Sequence, residues 1–167
     1  EPHRTHAMRL MSEVGLKPNR LTNIWVPFVV GATEILRPGG RLALVIPAEL
    51  LQVTYAAQLR SYLTDRFERI DVITCNELFF EKAQQEVVLV LADQALQKPS
   101  TANPCRVSLT ETQTVTGLLE GTPASVLSAA EPKAIRHDSE KWLKYFLTNR
   151  EIEFMRKVKE SPLSTTL

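Results

Sequence analysis

The sequence predicts an α/β fold on three observations. Stretches of helical spacing alternate with short apolar runs in the order helix, strand, helix, strand, strand. The run Leu42 to Ile46 is continuously apolar, as a strand covered on both faces of a parallel sheet is. The 167 residues, 44% of them apolar and 23% charged, suffice for one globular core with room for a short appendage.

Each element follows from its own residues. Between 22 and 36, Ile24, Trp25, Phe28, Val29, Ala32, Ile35 and Leu36 recur at helical spacing, with Thr22 as the expected N-cap. Pro27 falls in the first turn or two, where a lost amide hydrogen bond costs least, and Arg37-Pro38-Gly39-Gly40 ends the helix. Pro47 stops the strand that follows. Residues 48 to 66 return to helical spacing through Leu50, Leu51, Tyr55, Leu59, Tyr62 and Leu63. A second strand is expected at Ile70 to Thr74 and a third at Val87 to Ala92, rich in β-branched and aliphatic residues. Beyond Asp93 the chain turns polar and proline-bearing. Within residues 96 to 167, read as linker and helical extension, Arg106 to Leu109 is a further strand candidate and Lys141 to Lys159 a helical stretch. The N-terminal segment, opening Glu-Pro-His-Arg, carries no element signal of this kind.

Composition narrows the function classes. No apolar stretch approaches the roughly 20 residues that span a bilayer, and no basic region followed by an apolar run opens the chain. Both points argue against membrane insertion and secretion, and a cytoplasmic setting is expected. Cys75 and Cys105 lack metal-ligand spacing and are read as reduced structural thiols. His3, His6 and His137 have no partners at catalytic spacing, and no metal is expected. With 20 basic and 19 acidic residues the net charge is +1, so no global field draws the chain to a polyanion.

Two strings carry a resemblance. LRPGGRLALVIPAELL at 36–51, followed by a helix, a strand and FFEKAQQEVVLVLAD at 79–93, resembles the adenine-specific DNA methyltransferases of restriction-modification systems, over about residues 20 to 95. The resemblance implies the last three strands of a Rossmann-like class I methyltransferase sheet, with Val87 to Ala92 inserted antiparallel between the other two. Residues 1–95 are then the C-terminal half of a catalytic domain. Such an enzyme takes its methyl group from S-adenosylmethionine and acts on double-stranded DNA. It rotates the target adenine out of the stack, and an aromatic ring holds the base. By this likeness Phe80 is that ring, with Phe79 the alternative, and Gln84 and Gln85 line the pocket. The competing reading is that Phe79 and Phe80 merely anchor a loop in the core. Pro47 ends its strand at the edge where open α/β sheets bind ligands, or is no more than a strand terminator. Glu49 is assigned no catalytic role.

The same resemblance defines what the sequence lacks. The family's glycine-rich cofactor loop, its ribose-binding acid and its Asn/Asp-Pro-Pro-aromatic motif do not occur; Asn103-Pro104-Cys105 lacks the second proline and the aromatic residue. No catalytic residue and no cofactor-binding residue is therefore assigned. The expected partner is the N-terminal half of the catalytic domain, and the chain is expected to be an inactive fragment on its own. The alternative is a non-catalytic remnant or accessory subunit. HDSEKWLKYFL at 137–147 resembles the segment leading to a target-recognition domain; Lys141 and Lys144 are candidates for phosphate contact there, against the alternative of a solvated helix face.

Overall fold

The computed structural model describes residues 2–76, 86–96, 105–114, 116, 133 and 140–161. Its helices are α1 (Pro2–Glu13), α2 (Trp25–Glu34), α3 (Ala57–Arg66) and α4 (Asn149–Glu160). Its strands are β1 (Leu42–Pro47), β2 (Phe67–Cys75), β3 (Val87–Ala95) and β4 (Arg106–Thr112).

The strands form one mixed sheet in the order β1-β3-β2-β4. β3 lies antiparallel between β1 and β2, as expected of these three strands, while β4 adds a fourth strand parallel to β2. Register explains where the core sits. Leu42, Leu44 and Ile46 of β1 stand opposite Ala92, Val90 and Val88 of β3, which in turn share a face with Ile70 and Val72 of β2 and with Val107 and Leu109 of β4. Most of these side chains are buried. α2 packs against β1 and α3 against β2, while α1 packs on α2. Trp142, Tyr145 and Ile152, all buried, belong to the same core.

Four sequence expectations need correction. α1 occupies a segment to which no element was assigned; it docks through Met11, next to a close approach in which a Cβ on Gly31 would stand 3.4 Å from Leu10 Cδ2. Thr22 is not the N-cap of α2. Its hydroxyl accepts from the Asn19 amide at 3.0 Å, and the helix begins after Ile24, whose own amide is taken by Asn23 Oδ1 at 2.7 Å. The helix expected over 48–66 is broken: 3-10 turns at Ala48–Leu51 and Thr54–Ala56 precede α3, with Val53 extended between them. The carbonyls of Leu50 and Val53 accept from the Arg60 guanidinium, that of Val53 alongside the Ala56 amide at 3.2 Å. The stretch 141–159 likewise splits into a 3-10 turn, Trp142–Phe146, and α4, because Thr148 and Glu151 form a reciprocal capping box that starts a new helix.

The Pro-Gly-Gly turn does end α2, and it joins the sheet. Gly39 (φ +74°) donates to Ala95 O at 2.9 Å and Ala95 donates to Gly40 O at 3.0 Å, so the turn is tied to the last residue of β3. A Cβ on Gly40 would meet Arg37 O at 2.8 Å, a contact that no side-chain motion relieves. β2 and β4 are joined by a buried polar pair as well as by their ladder: Ser108 donates to Asp71, which also pairs with Arg69 at 2.8 Å. Among the described residues no helix is long and apolar enough to cross a membrane.

Candidate functional site

β1 and β2 run in the same direction, and β4 runs with them. Their carboxyl ends therefore share one edge of the sheet, where Pro47 stands opposite Val87 and Cys75 opposite Thr112. Open α/β sheets bind their ligands at this edge, because strand ends and helix N-termini converge there. The segment between β2 and β3 springs from it. Phe79, Phe80, Gln84 and Gln85 lie in that segment, outside the described residues. Its two roots are fixed: Asn76 donates from its amide to Thr112 O at 3.0 Å and from Nδ2 to Gln113 Oε1 at 3.1 Å, and Glu86 O accepts from the Ala48 amide at 2.9 Å.

Beside those roots, three segments bring polar side chains together. Glu49, on the 3-10 turn that follows β1, accepts through one carboxylate oxygen from the Tyr55 hydroxyl and from Trp25 Nε1, the latter at 3.4 Å. The Trp25 and Tyr55 rings lie 6.3 Å apart, tilted by 54°. Burial, and after it the Glu49 hydrogen bond, holds the Tyr55 hydroxyl above the usual phenol range, with Trp25 and then Asn23 acting in the opposite direction. Tyr55 is thus a donor to the carboxylate at any physiological pH.

Arg60 is the brace of this segment. It is buried at 3% exposure, and its Nη1 donates to Leu50 O at 2.9 Å and to Val53 O at 3.2 Å. Its Nε has no hydrogen-bond partner, and burial alone lowers its pKa. A buried guanidinium answered by carbonyls rather than by a carboxylate is a costly arrangement. Sequence reasoning placed neither Arg60 nor the Asn23–Trp25–Glu49–Tyr55 group in a site. Trp25 and Tyr55 fitted the apolar helical stripes, and the only available signal for Arg60 was a charge at a position whose helical neighbours Leu59 and Leu63 are apolar.

The basic candidates lie elsewhere. Lys144 pairs with Glu140, which also binds Arg156 at 2.8 Å, while Lys141 is exposed at the start of the 3-10 turn. At the opposite, amino edge of β1 and β2 a trough of about 330 Å³ is lined by Ala43 and Leu91 and by the ion pairs Arg41–Asp93 and Arg69–Asp71. The described residues contain no cluster of three or more His, Cys, Asp or Glu able to hold a metal ion.

No protein-family model matches this sequence, and no curated protein matches it. Among solved structures, the chain is similar to the type IIG restriction endonuclease BpuSI, at 16% identity and a TM-score of 0.51, over 96% of this chain and 20% of that one. The DrdV–DNA complex is similar at 12% identity and a TM-score of 0.51, over 65% of this chain and 12% of that one. The ATP-dependent Type ISP restriction-modification enzyme LlaBIII bound to DNA is similar at 8% identity and a TM-score of 0.50, over 64% and 8% respectively. At these identities the likeness is one of fold. The chain spans a fifth or less of the length of each of these three structures.

Proposed function

We propose that this chain is the C-terminal half of the catalytic domain of an adenine-specific DNA methyltransferase, with residues 96–167 leading toward a target-recognition domain. The observation that carries the reading is the sheet order around the two residues that flank the 77–85 segment. β3 lies antiparallel between β1 and β2, and the described residues that flank the segment, Asn76 and Glu86, both stand at the carboxyl edge, the ligand-binding side of open α/β sheets. The fold-level likeness to BpuSI, DrdV and LlaBIII supports the same class.

In this reading Phe80, or else Phe79, stacks on the adenine turned out of double-stranded DNA, and Gln84 and Gln85 hold its edge. Stacking on one ring is worth roughly 1–3 kcal/mol per base, enough to offset much of the unstacking. Lys141 is the better candidate for a phosphate contact, since Lys144 is engaged by Glu140. S-adenosylmethionine would supply the methyl group, but the described residues do not fit it: the one glycine pair, Gly39-Gly40, is tied to Ala95 at the amino edge, away from the 77–85 segment. No step is derived through it. A second half is called for on physical grounds. Among the described residues no strand pairs with the outer edge of β1. Ile24, Phe28 and Ile35, which fall on one side of α2, are 60%, 61% and 82% exposed.

The test is transfer of labelled methyl groups to DNA by the complete polypeptide that carries this chain, with the modified base identified. N6-methyladenine is expected, and Phe80→Ala should lower kcat/KM about 5- to 150-fold, matching the stacking energy. A complete polypeptide that binds DNA without methylating it would replace this reading with that of an accessory subunit.

A further inference from the structure

Positive charge is gathered at one end of the chain. Residues 2–20 hold Arg4, Arg9, Lys17 and Arg20 against a single acid, Glu13, so at a net charge of +1 the rest of the sequence is net negative. Arg9 is engaged by Glu13 at 3.4 Å. Arg4, Lys17 and Arg20 are exposed, and among the described residues none of the three has an ion-pair partner. At the amino edge of the sheet, by contrast, Arg41 and Arg69 are paired with Asp93 and Asp71.

The backbone beneath these three cations is held in place. α1 stops at Gly15 (φ +84°), where the Gly15 amide donates to Ser12 O and the Leu16 amide to Met11 O, both at 3.0 Å, and Leu16 is buried. The Lys17 amide donates to Gln58 Oε1 at 2.7 Å and its carbonyl accepts from Gln58 Nε2 at 3.3 Å, so one side chain clamps both backbone groups. Asn19 then accepts from the amides of Leu21, at 2.8 Å, and Thr22, at 3.1 Å. From α1, Arg4 Nη2 donates to Arg20 O at 3.2 Å. The same contacts locate the group. Gln58 lies in the first turn of α3, and Trp25, the first residue of α2, donates to Glu49, two residues past the end of β1. The 17–20 loop therefore stands at the carboxyl edge of the sheet.

Cations that no acid neutralises gain by releasing counterions from a polyanion, and a loop fixed beforehand loses little further freedom on binding. At the edge where open α/β sheets take their ligands, the polyanion that fits is the phosphate backbone of a duplex. We propose that Arg4, Lys17 and Arg20 form a contact surface for the phosphates of double-stranded DNA. This rests on the methyltransferase reading for the presence of a duplex at that edge, and adds a surface separate from Lys141 and Lys144. Contacts of this kind set the register and orientation of the duplex and read no sequence.

Salt dependence makes the test specific, because each phosphate contact contributes about 0.9 to the slope of log K against log salt. The complete polypeptide that carries this chain is titrated with a fluorescently labelled DNA duplex over a range of salt concentrations, with no methyl donor added. The triple change Arg4→Gln, Lys17→Gln, Arg20→Gln should lower the slope by about two to three and weaken the complex roughly 10- to 500-fold in ~0.1 M salt. The loss should be the same on duplexes of unrelated sequence. Lys17→Gln alone should lower the slope by about one, which keeps the test open if the triple variant does not fold. Removing equal charge from the amino edge, by Arg37→Gln, Arg41→Gln and Arg106→Gln, should leave the slope within about 0.5. An unchanged slope in both the triple and the Lys17→Gln variants, or an equal drop in the amino-edge variant, would overturn the inference. Methylation is not read in this assay. A slope lowered by the triple change in a polypeptide that does not methylate DNA would sink the proposed function and leave the surface standing; methylation with an unchanged slope would do the reverse.

Discussion

β1 and β2 are written in similar residues and live in different surroundings. β2 is paired on both edges, by β3 and β4, and Ile70, Asp71, Val72 and Ile73 are all buried, so both of its faces are covered. Among the described residues β1 is paired by β3 alone; Leu42 and Ile46 on one face are buried, while Ala43 and Val45 on the other are exposed, Val45 by 45%. Yet Leu42 to Ile46 is the more uniformly apolar of the two. A strand sequence suited to cover on both faces is found with cover on one, so the described residues are closed around β2 and open around β1.

The comparison breaks first on stability. Phe67, buried at the head of β2, should cost about 3–5 kcal/mol when replaced by Ala, whereas Val45→Ala should stay within about 0.5–1 kcal/mol, both read from urea unfolding. Equal costs would mean that β1 is as enclosed as β2. Next comes association. The free β1 edge and the Ile24–Phe28–Ile35 stripe are expected to draw copies of the chain together, and the double change Phe28→Lys, Ile35→Lys should weaken that self-association about tenfold, roughly 1.4 kcal/mol, in sedimentation velocity, with unfolding midpoints unmoved. The smallest contrast is chemical. Cys105 is buried and its thiol is pushed up to about 12, by burial first and the Asp71 carboxylate second. Its thiolate fraction near neutrality is about a thousandfold below that of an ordinary thiol. Cys75, half-buried at the end of β2, should label readily with a thiol reagent in the folded chain, and Cys105 only after unfolding.

What the sequence made legible follows the same division. The β1, β2 and β3 runs were readable because strands near a core are continuously apolar, and the Pro-Gly-Gly stop because few residues tolerate that turn. α1 was not: His3, Arg4, Thr5, His6 and Arg9 give it a polar surface, and its docking depends on Met11 meeting α2, a tertiary contact that periodicity does not carry. The break at Val53 was hidden for a related reason. Leu50, Leu51, Tyr55, Leu59 and Leu63 keep helical spacing straight through it, while Val53 itself is extended and a guanidinium reaches back to the carbonyls of Leu50 and Val53. The Glu49 group was illegible because its members are 24 and 6 residues apart and meet only once α2 and the 3-10 turns are in place. The loop carrying Phe79, Phe80, Gln84 and Gln85 owes its assignment to resemblance, not to pattern.

The insertion of β3 between β1 and β2 also sets an order of assembly. Residues 42–75 emerge from the ribosome as two strands with a vacant slot between them, about 9–10 Å from one backbone to the other, too wide for any direct ladder. Neither strand can satisfy its inward-facing amides until residues 87–95 have been made. Closure then ties Ala95 back to Gly39 and Gly40, a separation of more than 50 residues, so the slow step of folding should be the arrival of a single late strand. Synthesis halted before residue 87 would release a nascent chain with a ready-made place for someone else's strand, which is where a chaperone would be needed most.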